Sequence, residues 1–130
     1  MSDAPMRWDD WLREYQRRSG IQNRDEAERS AANLAEELGG CLTWGEAQNL
    51  AEGLPRPIAI RLREGSFNTA MARFSPRSFV SRVAELDGVS LEEGRRRVVA
   101  FLNVLAKHLP VTRLDQLREE LVAWETELPV

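Results

Sequence analysis

The stretch WLREYQRRSGIQNRDEAERSAANLAEEL, residues 11–38, decides the fold, because it recurs as FVSRVAELDGVSLEEGRRRVVAFLNVL, residues 79–105. With one position skipped, apolar falls on apolar. Trp11 meets Phe79, Tyr15 meets Val83, and Gly20-Ile21 meets Gly88-Val89. Beyond the skip, Ala31 meets Val98, Leu34 meets Phe101, Leu38 meets Leu105 and Leu42 meets Leu109. The match closes with Ala47 on Leu114, Leu50 on Leu117 and Leu54 on Leu121. A period of this size means a repeated supersecondary unit, and it governs every later reading. It sets the architecture and leaves the activity open.

The apolar spacing within each copy is helical. Trp8, Trp11, Leu12 and Tyr15 stand at i, i+3, i+4 and i+7, as do Ala31, Leu34, Ala35 and Leu38. Val98, Phe101, Leu102, Leu105 and Leu109 extend the stripe, and Leu114, Leu117, Leu121, Trp124 and Leu128 make the last one. No segment alternates with the period of a strand. The caps repeat as well. Asn23-Arg-Asp-Glu26 and Ser90-Leu-Glu-Glu93 each read as a capping box, in which the glutamate returns to the cap residue's N–H. Thr43-Trp-Gly-Glu46 reads as a third, and Ser75-Pro76 as a cap followed by a first-turn proline. Gly20 and Gly88 suit left-handed helix ends.

The spacing therefore predicts helices over 7–19, 24–39 and 44–53 in the first copy, and over 76–87, 91–108 and 112–127 in the second. Pro55 and Pro57 end the first copy. A short connecting helix is expected near 57–64, ended by Gly65, then a loop over 65–75 anchored on the core by Phe67, Met71 and Phe74. The fold class is all-α: a compact helical bundle of two pseudo-symmetric three-helix repeats plus a short connecting helix. A single domain over 1–130 is expected, with repeat one at about 7–55, the connector at 56–74 and repeat two at 75–128. Three short helices bury too little to offset their chain entropy alone, so the halves are expected to share one core.

The same residues carry a resemblance. Trp11-Leu12, Ser19-Gly-Ile21, Arg24-Asp-Glu-Ala-Glu28, Leu34-Ala-Glu-Glu-Leu38, Gly45-Glu-Ala47 and Leu50-Ala-Glu-Gly-Leu-Pro55 resemble the first repeat of the bacterial domain-of-unknown-function 2267 family. Phe74-Ser-Pro-Arg-Ser-Phe79, Val83-Ala-Glu85 and Gly88-Val89 are similar to its second repeat. The resemblance spans about residues 8–128 and implies an all-α tandem-repeat domain, with no catalytic residue to carry over. The chain departs from a regular repeat in the extra residue near Gln22-Asn23, in Gly39-Gly40 opposite Ala106-Lys107, and in Gly94 where Ala27 predicts a helix former. These departures suggest a shorter second helix in the first copy.

The remaining bulk numbers narrow the function classes. The 130 residues are 42% hydrophobic and 30% charged, with a net charge of −3 that favours no class of partner. One cysteine, Cys41, permits no intramolecular disulfide, in keeping with a reducing compartment. The opening residues hold no apolar run of the kind a signal peptide has, and Val98–Leu102 is the longest apolar stretch. A cytoplasmic location with no membrane association is expected. Cys41 and His108 fall at matched helix ends of different copies, so they read as a small apolar thiol and a helix-terminal histidine rather than a catalytic pair. One Cys and one His cannot furnish the usual zinc sets, and no phosphate-binding glycine loop is present. No cofactor, metal or catalytic constellation is expected.

Two features have functional colour. Arg56, Arg61, Arg63, Arg73, Arg77 and Arg82 face only Glu64 between residues 56 and 82, and Arg95-Arg96-Arg97 follow. They could meet nucleic acid or an acidic partner, or be spent on acids such as Glu85, Glu92 and Glu93. A pI near 5.3 makes nucleic acid the weaker alternative. Trp8 and Trp44 stand near helix starts, where indole often serves contact surfaces, whereas Trp11 and Trp124 read as core. The favoured reading is a non-enzymatic protein–protein interaction module, or self-association, through a surface drawn from Trp8, Trp44, Arg56, Arg61, Arg63, Arg73 and Arg77. The other alternative is a small-ligand or enzyme site between the repeats.

Overall fold

Residues 7–40, 42, 44–67 and 76–108 are described by a computed structural model, with the side chains at 46, 76, 77 and 106–108 left aside. The described residues form six helices: α1 (Trp8–Ser19), α2 (Arg24–Gly39), α3 (Trp44–Ala51), α4 (Arg56–Ser66), α5 (Pro76–Asp87) and α6 (Leu91–His108). Among the described residues there is no strand. The helix expected over 112–127, and Met71, Phe74, Cys41 and Thr43, lie outside them.

Local chemistry explains the helix ends. Asp9 and Asp10 open α1 and Arg17 and Arg18 close it, each complementing the helix dipole. Gly20 and Gly88 take φ of 83° and 70°, the left-handed region that a side chain disfavours. After α5 the Val89 N–H returns to the Ala84 carbonyl at 2.9 Å, the long bond of a Schellman end. Asn23 Oδ1 accepts from the Glu26 N–H at 2.9 Å, and Ser90 Oγ accepts from the Glu93 N–H at 3.1 Å. The boxes are only half-formed, because both glutamate carboxylates turn to Arg97 instead of the cap N–H.

One cluster of buried residues joins both halves. In it α1 packs on α2 and α6, and α5 packs on α6 and α2. At its centre Phe101 meets Trp11 and Tyr15 edge to face, 5.5 Å from Trp11 and 6.1 Å from Tyr15. The α3–α4 hairpin joins this assembly through α4, which lies along α2, while α3 packs on α4.

The glycines set how closely the helices approach. A methyl group at Gly39 would run into the Leu62 carbonyl, and one at Gly65 into the Glu36 carbonyl. Gly65 therefore does not end α4, as expected from sequence. The helix continues to Ser66, and Gly65 is the flat spot that admits α2. Gly39 is likewise a contact residue, and Gly40 beyond it is right-handed. Gly94 has the same explanation: a Cβ there would stand 2.7 Å from the Ala84 Cβ. α2 has sixteen residues against eighteen in α6, in line with a shorter second helix in the first copy. Phe67 does not anchor the core. It is 70% exposed.

Candidate functional site

Among the described residues, Arg97 carries a buried charge. It stands four and eight residues before Phe101 and Leu105, so helix geometry points it at the core. Its side chain is 5% exposed and its Nη1 donates to Asp87 at 3.0 Å, a carboxylate only 2% exposed. Nη2 donates to Glu26 at 2.6 Å and Nε to Glu93 at 3.2 Å. Burial pulls the guanidinium pKa down, but the hydrogen bonds from Glu26, Asp87 and Glu93 outweigh it and hold the value above that of ordinary arginine. Asp87 also accepts from Ser30 Oγ at 2.6 Å and from Asn33 Nδ2 at 2.9 Å. Because the Ser30 proton is committed to Asp87, the Tyr15 hydroxyl donates to Ser30, at 2.7 Å.

This network ties α1, α2, α5 and α6 together beside a 110 Å³ cleft lined by Glu26, Arg29, Ser30, Asn33, Leu86, Asp87 and Arg97. Its chemistry is satisfied internally. Ser30 is buried, and the carboxylate it faces is already engaged by Asn33 and Arg97. Among the described residues no group of three or more His, Cys, Asp or Glu side chains could hold a metal ion. Sequence reading missed the network, although its signal was present: an arginine standing in the register of an apolar stripe.

The residues expected to form a surface separate into groups. Trp44 is 57% exposed at the start of α3. Arg63 Nε donates to Gln48 Oε1 at 3.1 Å across the hairpin. Trp44 lies one turn before Gln48, and Phe67 one turn after Arg63, so the tight turn at 52–55 brings both to the same open end of the hairpin. Arg56, Ile60 and Arg63 of α4, with Phe67 at its C-cap, form one stripe at i, i+4, i+7 and i+11, with Arg56 and Ile60 exposed. Arg61 leaves that stripe and pairs with Glu36 of α2 at 2.7 Å. Trp8 is on another part of the molecule, stacked 6.0 Å from Trp11 on α1. Arg73 and the Arg77 side chain lie outside what is described, as do Cys41 and the His108 side chain.

The other arginines of the basic segment are largely matched by acids. Arg82 pairs with Glu37 at 2.9 Å and Arg96 with Glu93 at 2.9 Å. The pairing with Glu93 follows helix spacing, whereas Arg61 and Arg82 find their acids across helix interfaces.

A family model described as an uncharacterized conserved protein, DUF2267, matches residues 8–124. The chain belongs to the DUF2267 family. That span takes in all six described helices, including every residue of the Arg97 network and of the α3–α4 hairpin. No curated protein and no solved structure matches the chain. No described helix of this DUF2267 protein is long and apolar enough to cross a membrane.

Proposed function

We propose that this DUF2267 protein is a cytoplasmic, non-enzymatic protein–protein interaction module that docks its partner on the open end of the α3–α4 hairpin. The observation carrying the reading is the exposure of two large aromatics on this hairpin, Trp44 at 57% and Phe67 at 70%, with exposed Ile60 on the same stripe as Phe67. Large aromatics left in water at one end of a hairpin are the kind of anchor from which interfaces draw most of their energy. Arg56 and Arg63 flank the apolar group, and the hairpin partner of Arg63 is the neutral Gln48 instead of a carboxylate. An acidic rim on the partner suits them. Nucleic acid is the weaker reading, since Arg61, Arg82, Arg96 and Arg97 face carboxylates of this chain. An enzyme reading lacks a proton acceptor beside the Ser30 hydroxyl that is not already engaged.

The test is a pair of exposed substitutions, Trp44→Ser and Phe67→Ser, read by sedimentation and by stoichiometric co-purification from the native host. Wild-type chain forms a defined complex, with a partner or with itself, and the double variant loses it while keeping its helical circular dichroism. A complex that survives the double variant, or no complex with the wild-type chain, overturns the reading.

A further inference from the structure

We propose a second, independent site: the cleft between α1 and α6 binds the phosphate group of a small phosphomonoester. The cleft measures about 310 Å³ and is lined by Arg18 of α1 and by Glu92, Arg95, Arg96, Val99, Ala100 and Asn103 of α6. Those α6 residues recur at i, i+3, i+4, i+7, i+8 and i+11, one continuous face. Trp11 meets Phe101 further along the same two helices, and the later Arg18 lines the cleft with the earlier Arg95 and Arg96, so α1 and α6 run antiparallel. A volume above 300 Å³ falls within the size range of small-molecule sites.

The charge balance points to an oxyanion. Arg95 is half-buried and makes no ion pair among the described residues. Arg18 and Arg96 each have an acid, but a divided one: Glu14 is shared by Arg17 and Arg18, and Glu93 by Arg96 and Arg97. Three arginines thus line one opening against Glu92 and the shared Glu14 and Glu93, which leaves a surplus of positive charge there. Each offers a planar fork that matches phosphate oxygens, and a monoester is mostly dianionic at neutral pH. Val99 and Ala100 give the floor an apolar strip for the ester's organic part. Glu92 and Asn103 at the rim can accept from or donate to hydroxyl groups on it. Glu92 also repels the phosphate, which makes its removal informative.

The test titrates the intact chain with phenyl phosphate, inorganic phosphate and phenol, following backbone amides by nuclear magnetic resonance. Phenyl phosphate is expected to saturate shifts at Val99, Ala100 and Asn103, more tightly than inorganic phosphate, with phenol inert. Arg95→Gln, a half-buried position that holds no ion pair among the described residues, is expected to weaken binding about tenfold or more. Glu92→Gln is expected to strengthen it. Shifts that do not saturate, that centre on Arg56 or Arg82 instead, or that Arg95→Gln and Glu92→Gln leave unchanged overturn the proposal. Binding here is independent of the α3–α4 surface, so Trp44→Ser leaves it intact.

Discussion

Arg97 donates to Asp87 at 3.0 Å with both side chains almost wholly buried. Removing one partner of such a pair strands the other charge, which costs far more than the pair contributes. Arg97→Met keeps much of the volume and leaves Asp87 with only Ser30 and Asn33 to solvate its charge. The expected loss is about 3–5 kcal/mol by denaturant unfolding. Adding Asp87→Asn removes the stranded charge and restores part of that loss. A double variant less stable than Arg97→Met would mean that packing, not charge, sets the cost.

Gly39 and Gly65 are expected to reject even a methyl group. Alanine is better than glycine in a helix interior by about 1 kcal/mol, so an open position gains from the change. Gly45 of α3 is open, with nothing near a Cβ, and Gly45→Ala is expected to be neutral or mildly stabilising. At Gly39 and Gly65 the obstacle is backbone carbonyl, which cannot rotate away. Gly39→Ala and Gly65→Ala are expected to cost about 1–3 kcal/mol or more, as overpacking does. Thermal melts of the three variants side by side give the answer; equal shifts would discount the close crossing of α2 and α4.

Gly94 differs from those two because its obstacle is a side chain. Its Cβ would meet the Ala84 Cβ at 2.7 Å. Gly94→Ala is expected to destabilise by about 1–3 kcal/mol. Exchanging the residues, Ala84→Gly with Gly94→Ala, makes room and is expected to cost less than the two single changes added together. Additivity in that cycle would show that the positions do not touch energetically.

These contrasts show where sequence reading succeeds. Apolar period and cap chemistry place α1, α2, α5 and α6 within a residue, because Asn23, Ser90, Gly20 and Gly88 act locally. Gly65 reads as a stop in sequence, since local rules alone cannot know that Glu36 of α2 crosses above it. Phe67 reads as core for the same reason: an aromatic residue does not announce which way its helix faces. The Arg97 network hides because Glu26 and Glu93 satisfy a local rule, the capping box, that a buried guanidinium overrides from 71 residues away in the case of Glu26. Of the expected surface, Trp44, Arg56 and Arg63 fall on one hairpin, whereas Arg61 and Trp8 belong elsewhere, a separation only tertiary packing decides.

Tyr15 is the chain's only tyrosine and gives a clean alkaline probe. Burial raises its pKa well above the ordinary value of 10.0, and the nearby Asp87 charge adds to the shift. The unfolded chain ionises near pH 10, roughly the value of a free tyrosine, and the folded chain only at higher pH. This contribution to stability is therefore complete below about pH 10 and falls by about 1.4 kcal/mol for each further pH unit. Phenolate absorbance at 295 nm is therefore expected to rise only as helical circular dichroism is lost. Ser30→Ala removes a partner of the hydroxyl and leaves Tyr15 buried, so the two signals should still coincide, at lower pH because the variant is less stable. Phenolate forming near pH 10 with helicity intact would show that Tyr15 is reached by water in the folded chain.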